Sequence, residues 1–343
     1  MRRLTFLLAI ILFYPAFASA QEFEKNIMTG GPSGTYIQIG KDLAKLEARC
    51  GLTLNVLESG GSLENFVGVR KRAHTQFGIV QSDVLDYFKT FQANDPEVQR
   101  AISGVRIMFP LYNEEVHILA KREIATLADL NGRKVAVGNK GSGTYLTSSL
   151  IMDIMQLRNV TRIATPAKDG LAKLMNGEID ALIYIAGAPT KLFSDPNIDG
   201  SRFHLLSINE PLLQASYVAA NIKAGTYPFQ PEEVDVIAVK AVMMTYEYRI
   251  QKNRYQKESC KAVSDLSNLM LTNLDRLKAE GHPKWKNVDL AAIPPGWQVG
   301  NCVKTGMAAN YKPQCRSPLI KTLSKNTAGN EEYLKLLKAQ LKK

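Results

Sequence analysis

Two copies of one tetrapeptide carry most of the chemistry this chain can offer. Ser33-Gly34-Thr35-Tyr36 lies inside TGGPSGTYIQIG, and Ser142-Gly143-Thr144-Tyr145 lies inside VGNKGSGTYLTSSL. Each copy follows a short apolar run and a glycine turn, and each leads into helical spacing. A helix N-terminus leaves backbone N–H groups unpaired and carries partial positive charge. Ser and Thr at such a place cap the helix or hold a ligand oxygen. Glycines beside them let a guest approach the backbone closely. Carboxylate or phosphate is the natural guest. Either corner alone can be nothing more than a capped helix; two identical ones favour a shared binding role.

Catalytic patterns do not fit these corners. In a G-x-S-x-G reading, Thr35 stands where the last glycine belongs at the first copy, and Lys140 and Thr144 replace both outer glycines at the second. In a phosphate-loop reading, Gly40-Lys41 is followed by Asp42, and Thr35 occupies the place of the first glycine. No Ser–His–Asp order and no cofactor fingerprint is present. His74, His117, His204 and His282 are scattered and the cysteines lack zinc-site spacing. The expectation is a binding protein with no catalytic residues, no metal and no cofactor.

The elements that would position the corners follow from periodicity. Residues 24–29 read as a strand running into Gly30-Gly31. Tyr36, Ile39, Leu43 and Leu46 have the spacing of an amphipathic helix. Leu52–Leu57 reads as a strand, Ser62 as a helix start, and 77–80 (FGIV) as a buried strand. Strands are expected at 105–111 and 116–120, and at 134–137 just before the second SGTY. Leu146, Leu150, Ile154 and Leu157 mark the helix after it. A strand follows the Gly177 turn and another lies within 234–244; 246–281 reads as mostly helical up to Gly281-His282-Pro283. Alternating strands and helices imply an α/β chain with largely parallel sheets, in which ligands sit at strand ends beside helix N-termini. Two α/β lobes, each offering one corner, explain the repetition.

Arg2-Arg3, the apolar run LTFLLAIILFYPAF and Ala18-Ser19-Ala20 form a secretory leader pattern. Cleavage near Ala20 is expected, because the run is short for a span of ~20 residues; the other reading is an uncleaved anchor. Loss of Arg2 and Arg3 lowers the formal charge from +11 to +9. Export and dispersed Lys/Arg residues argue against nucleic acid as the partner. Much of the excess lies in Lys321, Lys325, Lys335, Lys338, Lys342 and Lys343, read as a solvated face and tail. Four cysteines in an exported chain imply disulfides, with three pairings possible. The short turn-rich segment between Cys302 and Cys315 suggests that pair first, which leaves Cys50 with Cys260.

The motifs resemble, in order, those of the TAXI-type solute receptors of TRAP transporters. TGGPSGTY is similar to TGG-x-x-GTY, and ESGGSLENF (58–66) to GGS-x-x-N. FGIVQSDV (77–84) resembles a strand followed by QSD. LADLNGRKVAVGNKGSGTY, GEIDALIYIAGAP (177–189) and GTYPFQPEEVDVIAVKAVMMT (225–245) resemble the second-lobe signature, the GxIDA…G-x-P element and the return segment. The likeness spans about residues 25–250. Pro32-Ser33 departs from the small residues usual there, and the part beyond about residue 285 looks additional to the family core.

This resemblance implies a two-lobe, periplasmic-binding-protein-like (type II) fold with a hinge and an interlobe cleft. Lobe one would be 21–115 with 223–285, lobe two 116–222, and 286–343 a C-terminal extension. Ligand contacts carried over residue by residue are Ser33, Gly34, Thr35, Tyr36, Ser62, Asn65, Gln81 and Ser82 from lobe one, and Ser142, Gly143, Thr144 and the Gly187 loop from lobe two. Asp83 reads as a helix-start charge. The implied function is a monomeric periplasmic receptor that binds a small carboxylate, a glutamate- or 2-oxoglutarate-like dicarboxylate or an amino acid, and delivers it to TRAP membrane subunits. A sensor feeding a membrane signalling partner, a surface or host-interaction protein and an exported enzyme are the alternatives.

Overall fold

The computed structural model describes residues 22–315. The expected leader and the C-terminal lysines from Lys321 onward lie outside them. In chain order the elements are β1 (Asn26–Met28), α1 (Thr35–Arg49), β2 (Asn55–Leu57), α2 (Ser62–Lys71), β3 (Thr75–Gln81), α3 (Val84–Phe91), α4 (Pro96–Gly104) and β4 (Val105–Lys121). Then come β5 (Lys134–Ala136), α5 (Gly143–Ile154), β6 (Thr161–Ile163), α6 (Ala167–Met175), β7 (Ala181–Ala186), β8 (Phe203–Leu205), α7 (Pro211–Gln214) and β9 (Val218–Ile222). β10 (Val234–Tyr246), α8 (Arg254–Thr272), α9 (Leu274–Glu280) and α10 (Asn301–Gly306) complete the described chain. None of these helices is long and apolar enough to cross a membrane.

The strands form one mixed sheet in the order β2-β1-β3-β10-β4-β7-β5-β6, with β8 on β4 and β9 on β10. Its two ends are parallel, β1 with β2 and β3, and β5 with β6 and β7. Its centre is antiparallel, because β4 and β10 run past each other there. The sheet is therefore less parallel than strand–helix alternation alone implies.

Two hydrophobic cores divide the molecule. One holds Ile27, Ile39, Leu43, Phe66, Phe77, Val80 and Phe109; the other holds Val116, Ile118, Val135, Leu182, Phe193 and Tyr227. The two expected strands at 105–111 and 116–120 are one seventeen-residue strand, β4. Its first half packs in the first core and its second half in the second, and Asn113-Glu114-Glu115 lies between. β10 makes the reverse passage, with Val239 in the second core and Ala241 in the first. Polar residues interrupt the apolar run without ending the strand, since the ladder pairs Lys240 with Asn113.

This crossing moves two expected boundaries. Residues 223–239 pack with the second core, through Tyr227, Phe229, Val236 and Ile237, not with the first. The segment after 285 is no appendage as far as it is described: Val288, Leu290, Trp297, Val299, Val303 and Met307 fill the first core. The boundary falls where a strand changes core, which turn residues do not report.

The expected disulfides are also corrected. Cys50 pairs with Cys315 and Cys260 with Cys302, with Cα–Cα distances of 4.5 and 5.2 Å. α10 lies along α8: the Ser264 hydroxyl donates to the Cys302 carbonyl at 2.7 Å, and Asn268 Nδ2 donates to the Gly306 carbonyl at 2.9 Å. Cys302 thus faces Cys260, one turn before Ser264. Nearness in sequence does not decide pairing when two helices bring distant cysteines together.

Candidate functional site

Both SGTY corners sit at the C-terminal ends of parallel strands, where β1 leads to α1 and β5 to α5. They line one cavity of about 140 Å³ between the lobes. The first corner contributes Gly34, Thr35 and Tyr36, and the second Ser142, Gly143 and Thr144. Gly30, Gly61, Ser62, Gln81, Glu114, Tyr184, Ile185 and Ala186 complete the wall.

The corners are alike in sequence but not in capping. Ser142 Oγ accepts from the Tyr145 N–H at 3.1 Å and caps α5. Ser33 is exposed and does not cap α1, whose N-cap is Gly34. Without a side-chain cap, the first-turn N–H groups of α1 keep their capacity to bond a guest. Thr144 Oγ1 accepts from the Ile185 N–H at 3.2 Å, tying α5 to β7 beneath the cavity. Ser62 Oγ accepts from the Gln81 N–H at 3.0 Å.

Four residues expected at the site do not line the cavity. Ser33 points to solvent. Asn65 is fully buried, donates to the Thr29 and Ile79 carbonyls at 2.6 and 2.7 Å, and accepts from Ser59. Its amide is consumed in holding the loop after β1. Ser82 bonds through its backbone, accepting from Trp297 Nε1 at 2.8 Å. Gly187 faces away, against the Lys284 side chain, whose Nζ donates to the Ala188 carbonyl at 2.6 Å.

Sequence reasoning missed Gly30, Gly61, Tyr184, Ile185 and Ala186 and, as the one carboxyl side chain in the wall, Glu114. It lies on β4 at the crossing between cores and is 5 % exposed. Its Oε2 accepts from the Tyr36 hydroxyl at 2.8 Å and from Gln81 Nε2 at 3.2 Å; the Tyr112 hydroxyl stands 3.5 Å from Oε1. Burial pushes its carboxyl up to about 7, against the lowering effect of the Tyr36 and Gln81 bonds. The available signal was the break Asn113-Glu114-Glu115 in an apolar strand run, since acids seldom interrupt a buried strand without a use. Burial beside this carboxyl also raises Tyr36 and Tyr112 well above the ordinary phenol value, so both stay neutral donors.

The lobes touch around the cavity. The Leu63 N–H donates to the Gly141 carbonyl at 3.1 Å. Leu146 and Leu150 of α5 reach into the first core, while Ile151 and Met152 stay in the second. Burying such a leucine contributes roughly 1.5–3 kcal/mol. Gly61 has φ +117°, and a Cβ on it would lie 3.2 Å from Ser142 Cα. Gly61→Ala should therefore lower the stability of the fold, as a strained backbone costs on the order of 1–3 kcal/mol. Thermal melting against the parent protein would show it, and an unchanged transition would show that this turn accepts a side chain.

The sequence pattern of the NMT1-like family matches residues 27–292. The chain belongs to the NMT1-like family. The NMT1-like region includes every residue that lines the cavity and both strand crossings. Among solved structures, the chain is similar to a protein described as a periplasmic sulfonate-binding protein of an ABC transporter, from Methylobacillus flagellatus KT. Identity is 11 %, over 76 % of this chain and 71 % of that one, at a TM-score of 0.44. It is also similar to the GluR0 ligand-binding core from Nostoc punctiforme in complex with L-glutamate, at 15 % identity, 76 and 95 % coverage and a TM-score of 0.40. A histidine kinase sensor domain with similarity to periplasmic binding proteins matches at 13 % identity, 78 and 97 % coverage and a TM-score of 0.43. The two cores joined by β4 and β10 make this NMT1-like protein a two-lobe α/β fold.

Proposed function

We propose that the protein is an extracytoplasmic receptor that closes its lobes on a small α-amino acid and delivers it to a TRAP-type membrane transporter. The observation that carries the ligand class is Glu114, a buried carboxyl facing two helix N-termini across one small cavity. Helix N-termini favour a carboxylate. Glu114 disfavours a second negative charge beside it and favours an ammonium. A zwitterion satisfies both; a dicarboxylate satisfies only the first. A space of about 140 Å³ is well below the ~300–1,000 Å³ of drug-sized sites and suits such a guest.

The contacts fall to backbone N–H groups of Thr35, Gly143 and Thr144 for the carboxylate, with Ser142 and Ser62 beside them; the Gly34 N–H is taken by the Gly31 carbonyl at 3.0 Å. Tyr36, Gln81 and Glu114 form the polar floor. Rotation about Asn113–Glu115 and Lys240, where both long strands change core, would open and close the cleft. A ligand bonded by both corners gains its full set of contacts only in the closed form, so it shifts the population toward closure. The transporter assignment rests on the ordered motif resemblance, and export rests on the N-terminal leader pattern.

Calorimetry with L-glutamate, L-glutamine, 2-oxoglutarate and succinate tests the ligand class. L-glutamate and 2-oxoglutarate differ mainly in the ammonium, so the amino acid should bind at least about tenfold more tightly, the value of one charge-assisted hydrogen bond. Tighter binding of 2-oxoglutarate would reverse the role given to Glu114. No heat with any amino acid or carboxylate would count against the receptor reading itself.

A further inference from the structure

Asp83 stands at the N-terminus of α3 but does not cap it. Its side chain is buried and crosses to the other lobe. Oδ2 accepts from the Thr147 hydroxyl of α5 at 2.8 Å and from the Tyr217 hydroxyl at 3.1 Å. Oδ1 is buried with no hydrogen-bond partner. The Thr147 hydroxyl lies also 3.1 Å from Gln81 Oε1, and Gln81 Nε2 donates to Glu114 at 3.2 Å. A hydrogen-bonded chain thus runs Asp83–Thr147–Gln81–Glu114, from the interlobe contact to the cavity floor.

We propose that Asp83 is a latch between the lobes that takes up a proton when they close, with Thr147 and Tyr217 as its partners across the contact. Counting hydrogens supports this. With Asp83 ionised, the single Thr147 hydrogen has two acceptors, and Gln81 Oε1 or Asp83 goes short. With Asp83 protonated, it donates to Thr147, Thr147 donates to Gln81, and Gln81 donates to Glu114. Each link then has one donor and one acceptor. A neutral Asp83 also lowers the cost of leaving the buried Oδ1 without a donor, since a carbonyl oxygen is cheaper to bury than a carboxylate oxygen.

The sign of the pH dependence follows. In the open form Asp83 meets water and has an ordinary carboxyl pKa near ~4. In the closed form burial pushes it up to about 7, with the Thr147 and Tyr217 bonds opposing. Between these values the closed form holds a proton that the open form lacks, so lowering the pH favours closure; above 7 the dependence ends. The other groups at this contact are Asp86 of the same helix, which raises Asp83 further, and Tyr87 of α3 beside Tyr145 of α5 and Arg162. Tyr217 is itself raised well above the ordinary phenol value by burial and by Asp83, and stays a neutral donor.

The inference rests on the lobe motion proposed above and not on the identity of the ligand, so the test uses ligand-free protein. Nitroxide labels on encoded non-cysteine residues replacing exposed Lys45 and Arg158, one per lobe, report the interlobe distance by pulsed electron paramagnetic resonance. All samples carry Glu114→Gln, which removes the second buried carboxyl that closure would titrate. The closed-to-open ratio should rise about thirtyfold from pH 8 to pH 5.5, the span of one proton with a closed-form pKa near 7. Adding Asp83→Asn, which keeps the shape and a donor for Thr147, should flatten that dependence. Tyr217→Phe, which removes a donor to the ionised form, should move the midpoint to higher pH and serves if the Asn variant does not fold. Equal slopes with and without Asp83 overturn the latch alone. One unchanging distance at every pH overturns the latch together with the moving hinge.

Discussion

Glu114→Gln should weaken L-glutamate binding by about 10- to 150-fold, the range of a hydrogen bond to a charged group of ~1.5–3 kcal/mol. It should leave 2-oxoglutarate binding unchanged or improved. The substitution keeps the size of the side chain and an acceptor for Tyr36 and Gln81, so it removes charge more than shape. An ammonium in the cleft does for Glu114 what a proton does without it: it makes burial of the carboxyl tolerable. The same change should raise thermal stability at pH 8 and much less at pH 5. Glu114 is buried and its folded-state pKa, about 7, lies above the ordinary value of 4.5. A raised carboxyl destabilises the fold fully above pH 7, and the penalty fades as pH falls toward 4.5. A shift of that size corresponds to about 3 kcal/mol at pH 8. Calorimetric titration and melting at the two pH values check both halves. Unchanged amino-acid affinity would sink the ammonium contact, whatever the melting curves show.

Reduction of the disulfides, or paired Cys50→Ala and Cys315→Ala, should lower the melting transition of the first lobe by about 10–20 °C, with little effect on the second. The first core is assembled from both ends of the described chain, and Cys50–Cys315 joins them across a separation of 265 residues. Closing so long a loop restricts the unfolded chain by roughly 5.5 kcal/mol, against roughly 4 for the 42-residue separation of Cys260–Cys302. For a domain of this size 1 kcal/mol moves the transition about 2–4 °C. Both bridges lie in or against the first core and neither touches the second. Scanning calorimetry with and without reductant resolves the two lobes. A transition that stays in place on full reduction would show that core packing alone holds the ends together.

The expected α1 and α5 follow the SGTY corners in the structure because apolar spacing and glycine turns are local signals, and α1 buries Ile39, Leu43 and Leu46 as that spacing requires. α5 differs in a telling way. Its apolar positions look like one face, yet Leu146 and Leu150 face one core and Ile151 and Met152 the other. A helix wedged between lobes is buried on two sides, and the pattern alone does not say whose core each side meets. Asn65 shows the same limit at a single residue. A polar side chain on a helix near the cleft suggests a ligand contact, but its three bonds all go to the protein. Asp83, read as a helix-start charge, does stand at the start of α3, but its side chain crosses to the other lobe.

By itself the sequence determined that strands and helices alternate, that two polar helix starts repeat, and that the cysteines can pair. These follow from side-chain size, periodicity and turn chemistry over a few residues. Only the tertiary structure decided that the two SGTY corners face one cavity, that Glu114 stands between them, and which cysteines meet. Those facts depend on β4 and β10 passing from one core to the other, which sets lobe against lobe across residues far apart in the chain. Local propensity has no term for such a crossing. Its trace in the sequence is the polar break Asn113-Glu114-Glu115, where a strand continues although its buried face changes.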